Sequence, residues 1–208
     1  MNLKYGEFDI LERELEALPP IHRVAFAAAC CERLYPHYDI YLRAAREDDW
    51  DGEDLFRVAL DEIWEFLAGK KIDASRFRKL YSDCDESYPD YENVDTPEAQ
   101  TAAGAILNTL ELCLDPSVQH TISVAKEIDE TLFMYIDYLY QSEDEYSADI
   151  SHKELLEIVA NHPFTVREMA KQSEDLRRLR ETPTLTPEFL QWLRTSSENG
   201  GKSLLDLS

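Results

Sequence analysis

A repeated start signal for helices is the feature that most constrains this chain. Three times a helix-capping residue precedes a proline, in Thr96-Pro97-Glu98, Asp115-Pro116 and Thr186-Pro187-Glu188. The capping side chain accepts a first-turn backbone N–H, and proline at the first helical position removes a donor that has no partner there. Ser151 and Glu154 add the pattern of a capping box. The second half of the chain is therefore predicted to be helical.

Apolar residues recur at helical spacing along most of the sequence. The clearest example is residues 53–68, which we expect to be capped by Asp51 or a neighbour and ended by Gly69. Pro36 predicts a kink or a break near Tyr35, because proline cannot donate to the preceding turn. Further helices are expected over residues 8–18, 21–46, 73–81, 97–114, 116–141, 151–161 and 163–180, and after Thr186.

These patterns predict an all-α fold, a single compact bundle of seven to nine helices. The 208 residues suffice for one sizeable core. We expect this domain to cover residues 1–196, with a loose C-terminal tail over residues 197–208. Phe26 and Trp64 should share the core with Tyr35 or Tyr38.

Charge is distributed very unevenly. Residues 80–152 contain 17 of the 43 Asp and Glu but only one of the 21 Lys and Arg, Lys126. This acidic segment therefore carries most of the formal net charge of −22. Such a surface repels nucleic acid and anionic membranes, so we expect neither as a ligand. A block of like charge serves solubility or attracts a basic partner.

Two stretches of the acidic segment mix tyrosine with carboxylates, at residues 82–95 and 142–149. Both are predicted to be loops, and together they are the candidate partner-binding site. Tyrosine supplies large contact area at low entropic cost, and carboxylates speed the encounter with a basic protein. The candidate residues are Asp83, Asp85, Glu86, Tyr88, Asp90, Tyr91, Glu92, Glu143, Asp144, Glu145 and Tyr146.

No sequence pattern indicates catalysis or a metal. Asp83-x-Asp85-x-Ser87 begins like a calcium loop, but Tyr88 stands where the sharp-turn glycine belongs. The five histidines lack zinc-site spacing, and phosphate-binding and nucleophile motifs are missing. We therefore predict no metal, no cofactor and no enzymatic activity.

The triplet Cys31-Glu32-Arg33 combines a thiol, a carboxylate and a guanidinium. Successive residues on a helix diverge by about 100°, so the three cannot share one site. We expect Glu32 and Arg33 to face other helices or solvent, one of them towards the region of Trp64 or His162. The four cysteines are expected to be reduced thiols.

Several of these positions resemble a known family. The stretch IHRVAFAAACCERLYPHY, the helix DLFRVALDEIW and the stretch NHPFTVREMAKQSEDLRRL resemble the YjaG-like bacterial family labelled domain of unknown function 416. The matching positions are Phe26, Cys31, Glu32, Arg33, Pro36, Tyr38, Leu60, Trp64, His162 and Pro163. The resemblance covers about residues 5–180. It implies an all-α fold in a bacterial cytosol and no activity, because the family has no assigned catalytic residues.

Two functions are therefore expected from different classes. The first is an immunity protein that neutralises a cognate basic toxin, possibly a nuclease, by covering its active or substrate-binding site. The alternative is a signalling or regulatory helical adaptor, in which the acidity serves mainly solubility; the charge run can also be only a solvated face.

The N-terminus has no signal-peptide pattern and no apolar run is long enough to span a membrane, so a cytoplasmic location is expected. A homodimer is left open.

Overall fold

A computed structural model describes residues 2–47, 51–89, 97–142, 150–196 and 203–206. Within these ranges the chain forms nine helices and no strand, which confirms the predicted all-α bundle. The helices are α1 (Phe8–Glu16), α2 (Pro20–Glu47), α3 (Leu55–Leu67), α4 (Ala74–Glu86), α5 (Pro97–Leu114), α6 (Val118–Ser142), α7 (His152–Asn161), α8 (Pro163–Glu181) and α9 (Pro187–Thr195).

The core is built around α2, α5 and α6, which pack against one another. Small residues make this close approach possible. The fully buried alanines on the two helices are Ala25, Ala27, Ala28 and Ala29 of α2 and Ala99, Ala102, Ala103 and Ala105 of α5. Phe26 is 0% exposed, Tyr38 3% and Trp64 5%. The prediction that these aromatic residues share the core is confirmed, with Tyr38 rather than the half-buried Tyr35 as the third member.

Two of the predicted start signals act as expected, whereas α6 begins at Val118 rather than at Pro116, with Ser117 Oγ accepting from His120 N, and Thr96 lies outside the described residues. The Ser151 hydroxyl accepts from Glu154 N while the Glu154 carboxylate accepts from Ser151 N, which completes the capping box. Thr186 caps α9 by accepting from Phe189 N. At α3 the cap is Asp54, three residues after the expected Asp51, and it accepts from Arg57 N at 2.9 Å.

Two helices differ from expectation. The helix α2 continues through Pro36, so of the two predicted alternatives, a kink or a break near Tyr35, the break does not occur. Burial of apolar side chains on both sides of Pro36 outweighs the single backbone hydrogen bond that proline cannot make. The helix α4 extends to Glu86, five residues beyond the predicted end, because Cys84 continues its buried face.

The expected loose tail is wrong for the four C-terminal residues that the structure describes. Ser203, Leu204 and Leu205 are at most 5% exposed. Leu204 N donates to Arg33 O, and Asp206 forms an ion pair with Arg167. These contacts join residues that are 171 and 39 positions apart in sequence, so local patterns carried no sign of them.

No helix in the described ranges combines the length and the hydropathy that crossing a membrane requires.

Candidate partner-binding site

The described part of the first predicted acidic stretch, residues 82–89, begins on a helix rather than in a loop. Asp83, Asp85 and Glu86 occupy the last turn of α4, with Asp85 and Glu86 exposed. A helix C-terminus carries partial negative charge, so carboxylates there are unfavourable, and this turn contains no basic residue. Lys79 pairs with Asp83 at 2.7 Å, one turn earlier on the same helix. The charges at the end of α4 are therefore electrostatically unfavourable.

Tyr88 fastens this end of α4 to the start of α5. Its hydroxyl donates to Gln100 O at 2.8 Å, and the Gln100 amide donates back to Pro89 O at 2.9 Å. Tyr88 remains 37% exposed. The C-terminus of α4 and the N-terminus of α5 therefore lie side by side.

The C-terminal half of α6 reaches the same end of the bundle. Thr101 on α5 and Thr131 on α6 are joined by a hydroxyl–hydroxyl hydrogen bond of 2.6 Å, and the helices run in opposite directions. From Thr131, α6 runs on past the start of α5 to Ser142, the first residue of the second predicted stretch. The last turn of α4, the first turn of α5 and the part of α6 after Thr131 are called the acidic end below.

The structure thus brings the anchor points of both predicted stretches to one end of the molecule. Seven of the predicted residues lie outside the described residues: Asp90, Tyr91, Glu92, Glu143, Asp144, Glu145 and Tyr146. Their assignment to a binding site stays a prediction.

Charge compensation separates the acidic segment from the rest of the protein. Elsewhere about half of the described Asp and Glu have a Lys or Arg partner, as in the pairs of Glu32, Asp61 and Asp175. Within the segment, Asp83 alone among the described acids has one. The other described acids there are Asp85, Glu86, Glu98, Glu111, Asp115, Glu127, Asp129, Glu130 and Asp137.

Burial lowers part of this formal charge. Desolvation raises the pKa of Glu127 to about 7, and the nearby Glu130 adds to the effect. Desolvation also raises the pKa of Asp129 to about 7, against the opposing hydrogen bond from Gly6 N. These two carboxyls are therefore partly protonated at neutral pH, which reduces the negative charge of the acidic segment.

Sequence reasoning missed Tyr138, which is 67% exposed and extends the acidic end along α6. Asp137 is its neighbour, and Glu130 lies two turns earlier on the same helix. The signal was available in the sequence, because Tyr138 falls outside the apolar spacing of Leu132, Ile136 and Leu139. An exposed aromatic ring beside carboxylates can hold a cationic side chain against its face.

Glu32 and Arg33 have separate, structural environments, as predicted. Glu32 accepts from Trp64 Nε1 at 2.8 Å and pairs with Arg57 and Arg194 at 3.0 Å. Arg33 points into the bundle instead, where it meets Glu168 and Asp175 of α8. Cys31 is fully buried, and desolvation raises its thiol pKa to about 12, which opposes the thiolate that a nucleophile needs.

An open groove of about 440 Å³ runs between α3 and α9, beside Trp64, Leu190 and Arg194. Its charged groups already neutralise one another, since Asp61 bonds to both Arg57 and Arg194. The described residues contain no cluster of His, Cys, Asp and Glu suited to a metal ion.

The fold and the acidic end define a helical bundle protein with an uncompensated negative surface. The chain belongs to the family described as "Protein of unknown function (DUF416)", whose profile matches residues 10–208. The match includes the C-terminal residues beyond 180, where the resemblance in the sequence had ended.

Relatives and a solved structure agree with this assignment. The chain is similar to the uncharacterized protein YjaG of Escherichia coli, at 26% identity over 91% of each chain. It is 24% identical to YjaG of Salmonella typhimurium, covering 93% of this chain and 94% of that protein. A crystal structure of a DUF416 family protein from Shewanella baltica matches with a TM-score of 0.79 and 21% identity, over 95% of this chain and 97% of that one. This last likeness shows the shared fold.

Proposed function

We propose that this chain is a non-enzymatic, cytoplasmic binding protein whose acidic end takes a basic protein partner. The supporting observation is that all the described acids of the acidic segment except Asp83 lack a Lys or Arg partner, whereas acids elsewhere commonly have one. Unpaired carboxylates that lie together at one end of a protein repel one another and lower the stability of the folded state. A cationic partner would relieve that repulsion on binding.

The form of this function that we favour is immunity to a basic toxin. A toxin that acts on nucleic acid needs a positive substrate groove, and an acidic helical end can cover such a groove. Exposed Tyr138 and Tyr88 would supply anchors at the contact, since tyrosine is enriched at binding hot spots. The adaptor alternative uses the same surface for a signalling protein.

The experiment compares capture of partners from the native host by the parent and by a variant of the acidic end. The variant converts three exposed or half-exposed acids to amides, and a matched control converts three exposed acids elsewhere: Asp85→Asn, Glu86→Gln and Asp137→Asn against Glu16→Gln, Glu47→Gln and Glu53→Gln. Both variants change the net charge equally. A basic protein retained by the parent and the control, but lost from the acidic-end variant, supports the proposal.

Kinetics with that partner then test the mechanism. The association rate of the parent should fall steeply between low and physiological salt, because charges at the surface are screened. The acidic-end variant should lose most of this salt dependence. If it associates as fast as the parent at every salt concentration, the acidic end is only a solvated face. Protection of cells from the captured protein distinguishes immunity from an adaptor role.

A further inference from the structure

The C-terminal residues Ser203–Asp206 form a small folded unit on the surface of α2 and α8. Leu205 N donates to Ser203 Oγ, and Asp206 N donates to Ser203 O, so the four residues make a tight turn. Asp206 has a φ of +62°, which an aspartate adopts more readily than most residues. Leu204 and Leu205 point into the protein and are 5% and 1% exposed.

The turn is held to α2 through a backbone carbonyl. Leu204 N donates to Arg33 O at 3.3 Å. This carbonyl lies three residues before Pro36, whose ring crowds the preceding turn and cannot donate to it. The carbonyl that loses its helical donor to Pro36 is that of Glu32, four residues earlier, so Arg33 O accepts the Leu204 N–H as a contact additional to the helix.

The turn is held to α8 through one side chain, that of Arg167. Its Nη2 donates to Leu204 O at 2.6 Å, and its Nη1 lies 2.9 Å from Asp206 Oδ1. One guanidinium thus recognises a backbone carbonyl and a carboxylate together, a geometry for which the planar fork of arginine is suited. Arg167 also lies over the Phe164 ring, 5.4 Å from its centroid, which limits its freedom.

These are the components of short-peptide recognition. Two apolar side chains are buried against the surface, a main-chain hydrogen bond fixes the position of the peptide, and an arginine binds the carboxylate that follows the two leucines. The sequence between Ser196 and Ser203, SENGGK, has two successive glycines. Ser196 itself lies 3.0 Å from Lys171 Nζ, one helical turn from Arg167 on α8. Because only six residues separate Ser196 from Ser203 in the sequence, the segment belongs to the same chain as its site, and a short connection of this kind corresponds to an effective concentration on the order of millimolar.

We propose that α2 and α8 form a peptide-binding site for a segment with two leucines followed by a carboxylate, and that the chain's own Ser203–Asp206 is its resident ligand. The site is distinct from the acidic end and stands independently of the proposed basic partner. It binds an acidic, apolar peptide, whereas the acidic end attracts cations.

The test uses the full chain with a protease recognition sequence inserted between Gly200 and Gly201. After cleavage of the folded protein, a fluorescent peptide of residues 202–208 is added and its polarisation is measured. The cleaved chain, freed of its own fragment by dialysis, should bind the peptide saturably. The uncut chain should bind at least about tenfold more weakly, because the tethered segment competes at its high effective concentration.

Variants test the recognition contacts. Leu205→Ser in the peptide should weaken binding at least about tenfold through lost apolar burial. Asp206→Asn should weaken it about threefold, as expected for a partly exposed ion pair. Arg167→Ala in the cleaved chain should abolish measurable binding. Arg177→Ala, another exposed arginine of α8 that pairs with Glu181, is the matched control and should bind like the parent.

Two results would overturn the proposal. One is absence of saturable binding by a cleaved chain whose circular dichroism remains that of the uncut protein. The other is loss of the helical signal on cleavage together with the same loss in the uncut double variant Leu204→Ser, Leu205→Ser. That second outcome would make the segment an integral part of the core rather than a ligand.

Discussion

Arg33 on α2 donates from Nε and Nη2 to the carboxylate of Glu168 on α8, although 135 residues separate them. Both side chains are at most 4% exposed. Nη1 of the same guanidinium lies 3.1 Å from Asp175, two turns further along α8 than Glu168. Arg33 therefore fixes α8 to the central helix by charge as well as by packing.

Removing this arginine should destabilise the protein strongly. Arg33→Met leaves Glu168 and Asp175 buried with too little positive charge, and we expect a loss of about 3–5 kcal/mol in the free energy of unfolding. Urea denaturation followed by circular dichroism measures it. Arg43→Met is the control, because Arg43 and Asp39 form an exposed pair and the loss should stay below about 1 kcal/mol. Equal losses in the two variants would show that the buried cluster is not needed.

Glu127 predicts a pH dependence of stability. Its pKa is raised by burial from an ordinary value near 4.5 to about 7. The folded state therefore holds a proton that the unfolded state has released between these values. The stabilisation linked to this proton is complete below about pH 4.5 and is lost as the pH rises through 7.

Glu127→Gln should remove that loss while keeping the shape that packs against Gly104. We expect the variant to gain about 1–2 kcal/mol relative to the parent between pH 5 and pH 8, after allowance for partial exposure. Chemical denaturation at a series of pH values measures the difference. Glu16→Gln, at an exposed position, should give no such trend. A constant difference for Glu127→Gln across this range contradicts the argument.

Trp64 should contribute more to the stability of the folded state through burial of its ring than through the hydrogen bond of its indole N–H. Trp64→Ala empties a site that is 5% exposed, so we expect a loss of about 3–5 kcal/mol. Trp64→Phe keeps an aromatic ring but leaves the Glu32 carboxylate without the indole donor, and about 1–2 kcal/mol should be lost. Thermal and urea unfolding of both variants checks the order. A loss below about 1 kcal/mol for the alanine variant would mean that the tryptophan is superficial.

The four cysteines should resist modification in the folded protein. Cys30, Cys31, Cys84 and Cys113 are free and buried, and desolvation raises the pKa of each thiol. A thiolate-specific reagent at pH 8 should label none of them within minutes, whereas all four react in denaturant. Mass spectrometry counts the adducts. Rapid labelling of one native cysteine would place that thiol in an accessible, electropositive site instead.

The acidic end should be destabilising by itself. Asp85→Asn with Glu86→Gln removes two carboxylates from the negative end of the α4 dipole, so the free energy of unfolding should rise by about 0.5–1 kcal/mol. The effect should shrink in high salt, because exposed charges are screened. Glu16→Gln with Glu47→Gln changes the net charge equally and is the control. A less stable acidic-end variant would indicate that these carboxylates have stabilising partners.

The sequence determined the local architecture. Nearly every helix could be predicted from cap-proline pairs, the Ser151–Glu154 capping box and helical spacing. Such signals are local, because a capped turn depends on residues within four positions of each other. The charge of the acidic segment was likewise explicit in the sequence, and so was the family resemblance around Phe26, Glu32 and Trp64. The membership in the DUF416 family bears this out.

Only the tertiary structure decided which distant groups meet. The ion pairs of Arg33 and the docking of Leu204 and Leu205 join positions far apart in sequence, and no local pattern encodes such a pairing. The last turn of α4 looked like an acidic loop because its charges disfavour a helix end, yet burial of Cys84 holds it helical. Propensity and charge act over a few residues, whereas burial depends on the whole assembled core, which is why these features appeared only in three dimensions.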